Sequence, residues 1–232
     1  FVLRQILLQR QDRALLDLRV FGSSGFTVAI VMMAIAMASM FGTLIVLPLY
    51  LQSVLVLDPL ATGLMLLPGS LLMGLLGPVI GRIYDRRGPR PLLIPGTIVV
   101  SAALWTMATF GAATPVPIVL AAHIALCAGL ALMFTPLFTT ALGSLQPQLY
   151  SHGSAVIGTA QQLAGAAGTA LLVTVLTAVT ASAVGSGVAE SRADELGVRA
   201  AFLAGAVVSL ASIAMSFFVR RPVDADTEEP AQ

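Results

Sequence analysis

The sequence predicts an all-α integral membrane protein with six transmembrane helices, and three observations predict it. Of 232 residues, 57% are hydrophobic and only 10% charged, with a mean hydropathy of +0.95, whereas soluble domains carry nearer 25% charge. The charges are also clustered. None occurs from Pro59 to Gly81 or from Pro91 to Ala189, while Gly81-Arg82-Ile83-Tyr84-Asp85-Arg86-Arg87-Gly88-Pro89-Arg90-Pro91 between them holds four Arg and an Asp. A tight, water-exposed loop joining two spans produces this pattern; a soluble core does not. Finally, Gly, Pro and polar clusters divide the chain into six apolar segments of roughly 20 residues or more, enough to cross about 30 Å of hydrocarbon.

Residues 1–21 carry Arg4, Arg10, Arg13 and Arg19 among Ile6, Leu7, Leu15, Leu16 and Leu18 at roughly helical spacing. Two readings stand together: a linker helix lying flat at the membrane surface, or a loop after a lost span ending in Phe1-Val2-Leu3. The chain starts at Phe1 rather than Met, so it is expected to be a piece of a longer protein.

The first span is expected over residues 26–51, with Pro48 tolerated near its end because neighbours can satisfy the freed carbonyl. Asp58-Pro59 reads as an N-cap followed by Pro at the first helical position. It opens a second span over residues 59–81, expected to bend at Pro68, Gly69, Gly74, Gly77 and Pro78. The third runs over residues 91–110 and ends in a Gly/Pro turn over 111–117. The fourth covers 117–142, with Pro136 inside. A polar turn over 143–153 holds Gln146, Pro147, Gln148 and His152. The fifth covers 154–181. A polar loop over 185–198, with Glu190, Arg192, Asp194 and Glu195, leads to the sixth over 200–219. After Arg220-Arg221-Pro222 comes an acidic stretch with nothing apolar to bury, expected to be disordered. The division is therefore a linker over 1–21, a six-helix membrane unit over 22–219 and a tail over 220–232.

Six spans place both ends on one side. That side holds Arg4, Arg10, Arg13, Arg19, Arg82, Arg86, Arg87, Arg90, Arg220 and Arg221, against Arg192 and Arg199 opposite. The positive-inside rule then predicts cytoplasmic termini and a cytoplasmic central loop in a multi-pass protein of the cell membrane.

The pattern Gly81-x-x-x-Asp85-Arg86-x-Gly88-x-Arg90 resembles the cytoplasmic loop signature of the major facilitator superfamily, where it joins the second and third helices of each six-helix half. Further stretches resemble that superfamily's fourteen-helix drug:proton antiporter branch: Leu15-Leu16-Asp17-Leu18-Arg19, Leu47-Pro48-Leu49-Tyr50-Leu51-Gln52, Leu66-Leu67-Pro68-Gly69 and Gln161-Gln162-Leu163-Ala164-Gly165. Pro89 stands where a basic residue is often found, thinning the positive cluster slightly. The resemblance implies the C-terminal half of such a transporter, built from two inverted three-helix repeats. It also implies that Gly81, Arg82, Asp85, Arg86, Gly88 and Arg90 form a latch favouring one conformational state. The plainer reading of those residues is a positive-inside anchor. In the family the first and fourth helices of this half line the cavity, and the fifth lies against the other half. The resemblance therefore makes Gly158, Gly165 and Gly168 a sliding surface.

No Asp, Glu, Lys or Arg falls inside any expected span. Intramembrane ionisable groups are the usual carriers of proton coupling, so a proton antiporter containing this chain is expected to keep its coupling carboxylate in the missing N-terminal half. The remaining candidates for a substrate path are Met33, Met37 and Phe41 (with Met40) on the first helix, Phe134 (with Met133 and Phe138) and His123 on the fourth, and Gln161 and Gln162 on the fifth. Flexible Met beside aromatic faces makes an adaptable surface for varied lipophilic substrates; the same residues can equally be packing. His123 and Cys127, four apart, share a face. A histidine hydrogen-bonded between helices is the simpler reading, since two ligands make an incomplete metal site.

There is no nucleotide motif, catalytic constellation or metal site, and no cofactor is implied. A net charge of +1 gives no case for nucleic acid. The expected partners are the lipid bilayer, a lipophilic small molecule and protons. The leading expectation is a proton-coupled exporter of drugs or other amphipathic molecules, and not an enzyme. The alternative is a truncated half-transporter without transport of its own. An intramembrane enzyme using His123 and Cys127 ranks last.

Overall fold

A computed structural model of the chain describes residues 17–219. The linker over 1–16 and the tail over 220–232 lie outside the described residues. Among the described residues there are six long helices and no strand: α1 Ser24–Ser53, α2 Pro59–Arg87, α3 Arg90–Met107, α4 Val116–Gly143, α5 Tyr150–Gly185 and α6 Glu190–Ser216. Short 3-10 turns over Leu18–Gly22 and Pro147–Leu149 lead into α1 and α5. All six helices are long and apolar enough to cross a membrane.

The starts follow local chemistry. Ser23 Oγ accepts the Phe26 N–H at 3.3 Å and opens α1. Asp58 Oδ1 accepts the Ala61 N–H at 2.9 Å and opens α2, with Pro59 in the first turn. Each satisfies an amide that the helix itself leaves unpaired. Pro48, Pro68, Pro78, Pro95 and Pro136 all stay inside helices.

Two boundaries differ from expectation. The charged stretch 81–91 is not a loop: α2 runs on through Arg87, and only Gly88 and Pro89 separate it from α3. Nothing between Gly81 and Arg87 breaks a helix, and Arg86 and Arg87 in its last turn suit the negative end of the macrodipole. Gly88 stops it, at φ 76°, with its N–H bonded to the Tyr84 carbonyl at 2.7 Å; that positive φ is where glycine has no steric penalty. Likewise α6 starts at Glu190, ahead of the expected 200. Its first turns bury Ala193, Glu195, Gly197 and Val198, a helical face that the polar composition masked.

Helix α1 packs on α4, α5 and α6, and α4 packs on α1, α2 and α3; α3 packs on α6, and α5 on α6. Exchanging α1 with α4, α2 with α5 and α3 with α6 maps almost every pairing onto another. Because each repeat has three alternating spans, the second is inverted relative to the first, so the two expected repeats are visible in packing. One pairing breaks the exchange. Helices α5 and α6 pack extensively, whereas α2 and α3, though joined by two residues, barely touch.

The tightest seams close on glycine. A Cβ on Gly168 would lie 2.3 Å from Ala38 Cα, and one on Gly42 would lie 3.3 Å from the Gly168 carbonyl oxygen, so α1 and α5 touch backbone to backbone. Helices α3 and α4 cross at Gly96 and Gly129 in the same way. This corrects the sliding-surface expectation. Gly165 and Gly168 are consumed inside the chain against Phe41 and Ala38, and of the three only Gly158 faces open space.

Candidate functional site

The described structure offers three places where polar chemistry converges. The first is the charged end of α2. Arg82, Asp85 and Arg86 are exposed on its last turns and Gly88 is buried at the junction. Nothing lies within 4 Å of where a Cβ on Gly81 would stand. Arg90, the last residue of the signature, is committed elsewhere. Its Nε donates to the Val219 carbonyl at 2.8 Å and its Nη2 to Phe217 O at 3.2 Å, so it closes the C-terminal end of α6. Arg90→Ala is expected to fray that end, at a cost of about 1 kcal/mol. Faster amide exchange confined to the last turn of α6 would show it, and unchanged exchange there would rule it out.

The second place is the α1 face. Met33, Met37 and Phe41 follow one another at intervals of four along α1. Met33 is buried, and Gln161 Nε2 donates to its sulfur at 3.2 Å. Phe41 packs over Gly165. Gln161 and the three α1 residues thus share the α1–α5 seam, where Met37 and Phe41 keep partial exposure. Gln162 points away and is exposed. Phe134 packs half-buried against the main core.

His123 belongs to a different seam, between α4 and α2. Its Nε2 lies 3.2 Å from the Leu66 carbonyl, which can only accept, so this nitrogen carries the proton. Cys127 Sγ is 3.7 Å from the same nitrogen. Gly69 closes over both, since a Cβ there would be 2.7 Å from His123 Cδ2 and 3.0 Å from Cys127 Sγ. His123 therefore acts as an interhelical fastening, with Cys127 and Gly69 packed against it. Tyr84 Oη and Thr140 Oγ1, 3.3 Å apart, tie the same two helices nearer the α2–α3 junction.

The third place was missed by the sequence reading. Glu195, in the early turns of α6, is 6% exposed. Its carboxylate is paired with Arg192, lies 3.6 Å from Arg199 Nη1 and accepts the Ala112 N–H at 3.4 Å. Arg199 Nε donates to the Ala108 carbonyl at 3.4 Å. The α3–α4 turn held in this way also accepts from Tyr50 Oη through Gly111 O at 2.9 Å. Tyr50 stacks on Phe110 at 5.2 Å, and Phe110 meets Phe202 of α6 edge-on at 6.2 Å. One polar and aromatic cap thus joins the ends of α1, α3 and α6. The signal was available: Arg192, Glu195 and Arg199 are spaced three and four apart, as for ion pairs on a helix. The polar composition of 185–198 reads as a loop, and a loop has no such faces.

Comparison with known proteins matches residues 4–169 to the family described as Major Facilitator Superfamily. The lincomycin resistance protein LmrB of Listeria monocytogenes is 36% identical over 229 residues, covering 95% of this chain and 47% of that protein. The protein of the same name from Bacillus subtilis is 32% identical over 227 residues, again 95% and 47%. A multidrug resistance protein B homolog of Mycobacterium tuberculosis is 33% identical over 171 residues, covering 72% of this chain and 32% of that protein. The chain spans about half the length of the two lincomycin resistance proteins.

Proposed function

The chain belongs to the major facilitator superfamily, and we propose that it acts as one six-helix half of a secondary transporter that exports drugs or other amphipathic molecules in exchange for protons. The observation that carries this reading is the similarity, over nearly all of this chain, to about half of each of two antibiotic-resistance proteins. The packing supports it. Only 17% of the most apolar stretch of α2 and of α5 is buried, against 39% to 50% in the other four helices. Two helices therefore present faces that a second set of helices would cover.

In this reading the termini and the α2–α3 junction face the cytoplasm, and Asp85, Arg86, Gly88 and neighbouring residues latch that side in one of two states. A contact made in one state and lost in the other biases the equilibrium between them. Met37 and Phe41, with Gln161 beside them in the α1–α5 seam, offer the substrate an adaptable surface, and Gln162 stands on a separate exposed face of α5. From α1 to α5 the helices hold no Asp, Glu, Lys or Arg between their charged ends; His123 is engaged with Leu66, and Glu195 of α6 with Arg192, Arg199 and Ala112. The carboxylate that couples export to protons then lies in the remainder of the transporter. The same open faces favour, as a second reading, a half-transporter that moves nothing alone.

Dye efflux from everted vesicles under an imposed proton gradient tests both. The chain joined to the sequence encoded upstream of it is expected to export dye, and the chain alone is not. Asp85→Asn in the joined form is expected to lower efflux and shift the state populations. Efflux by the chain alone would overturn the placement of the coupling group and bring His123 forward. Absence of efflux from the joined form would overturn the exporter.

A further inference from the structure

Helix α2 carries two different open edges. Leu64, Leu71, Leu75 and Val79 are 60%, 55%, 74% and 48% exposed. At 100° per residue they fall with Arg82 and Arg86 inside an arc of about 80°. The aliphatic stripe thus ends in two guanidinium groups on its own face. On the neighbouring edge Gly63, Gly74, Gly77 and Gly81 meet open space, an arrangement that suits close approach of another helix. Asp85 is displaced from Arg82 by about 60° toward that glycine edge.

Among the described residues, Arg82 and Arg86 donate to no protein group. Arg90 is bonded to α6 and does not share their environment. The dimensions fit one lipid leaflet. Leu71 lies about 16 Å along the helix from Arg82, and half of the hydrocarbon core is about 15 Å. A phosphate at Arg82 and Arg86 would therefore place its acyl chain over Val79, Leu75 and Leu71, while the arginine stems lie along the apolar surface and hold their charges at the interface.

We propose that this stripe is the seat of one anionic phospholipid, its phosphate bridging Arg82 and Arg86 and its acyl chain running along Val79, Leu75 and Leu71. Charge complementarity selects this occupant over a zwitterionic lipid, because two unpaired cations at an apolar boundary gain most from an anion. The proposal concerns α2 alone and stands apart from the exporter reading.

The test is lipid retention in the chain joined to its upstream sequence, reconstituted in nanodiscs of mixed phosphatidylglycerol and phosphatidylcholine and read by native mass spectrometry. One phosphatidylglycerol is expected to stay bound. Arg82→Ala with Arg86→Ala is expected to weaken it about 30-fold, as two basic residues near an anionic surface would. Arg87→Ala, an equal loss of charge per residue off the stripe, is expected to retain it. Among the described residues these side chains bond to nothing, and Arg87→Ala loses a charge from the same helix end, so a small shift in thermal unfolding common to the variants is expected and loss of structure cannot mimic a difference between them. Retention unchanged in the double variant would overturn the proposal, and so would equal retention of phosphatidylcholine or equal loss in Arg87→Ala. Both leaflets of a nanodisc contain phosphatidylglycerol, so the result depends neither on which side the arginines face in the cell nor on transport.

Discussion

Gly168→Val is expected to unfold the protein at a markedly lower temperature, while Gly158→Val on the same helix leaves it near the wild-type value. A Cβ at 168 would lie 2.3 Å from Ala38 Cα and 2.5 Å from its carbonyl oxygen, whereas at 158 nothing lies within 4 Å. The obstacle at 168 is backbone, so no rotamer change can relieve it, and α1 must move away from α5. That movement would also pull Phe41 off Gly165 and Gln161 away from Met33. Overpacking of this kind costs about 1–3 kcal/mol, with a backbone clash toward the upper end. Both variants replace glycine by valine inside one helix, so propensity effects cancel and the difference reports the seam. Thermal unfolding in detergent reads it; equal midpoints for the two variants would mean that α1 and α5 do not meet as described.

The second large effect is expected at Glu195. Glu195→Ala removes the acceptor of the Ala112 N–H and leaves two arginines without their shared partner. Ala112 is exposed, so water can take up its N–H, and the lost hydrogen bond costs about 1 kcal/mol. The arginines add little, because their side chains are 55% and 41% exposed and water resolvates them. Glu195→Gln keeps an acceptor and is expected to fall between alanine and wild type. Hydrogen exchange over residues 108–114 is the sharper readout: it should rise in Glu195→Ala, while the distant α2–α3 junction stays protected. Unchanged exchange in the turn would mean that Tyr50 and Phe110 hold it without the carboxylate.

Much of the fold was legible because it depends on length and polarity. Bilayer thickness fixes the minimum run of apolar residues, and Asp58-Pro59 marks a helix start whatever surrounds it. The charged segments were misread for a common reason. Hydropathy ends a span where it leaves the hydrocarbon, but a helix stops only where its backbone is broken. Arg82 to Arg87 and Glu190 to Arg199 both contain helix-compatible residues beyond the membrane limit, so α2 and α6 outrun it. The candidate site was harder to read. Whether Gly165 and Gly168 face another helix of this chain or a separate surface is a matter of rotation about α5, and one sequence does not fix that angle. Met33 and Met37 differ in burial for the same reason. His123 was readable as a fastening between helices, but its partner, a backbone carbonyl on α2, has no sequence signature.

The near-absence of contact between α2 and α3 has a consequence in time. Two adjacent spans joined by Gly88-Pro89 would ordinarily be expected to insert as a pair, each sheltering the other. Here α2 finds its principal partner within this chain in α4, which is complete only at Gly143, and Arg87 precedes that residue by 56 positions. At a synthesis rate of 5–20 residues per second, α2 waits about 3 to 11 s in lipid before that surface exists. Its leucine edge is compatible with such a wait, because an aliphatic helix is stable alone in hydrocarbon. The late arrival of α4 then becomes the event that sets the register of both neighbours, with Gly69 closing over His123 on one side and Gly96 over Gly129 on the other.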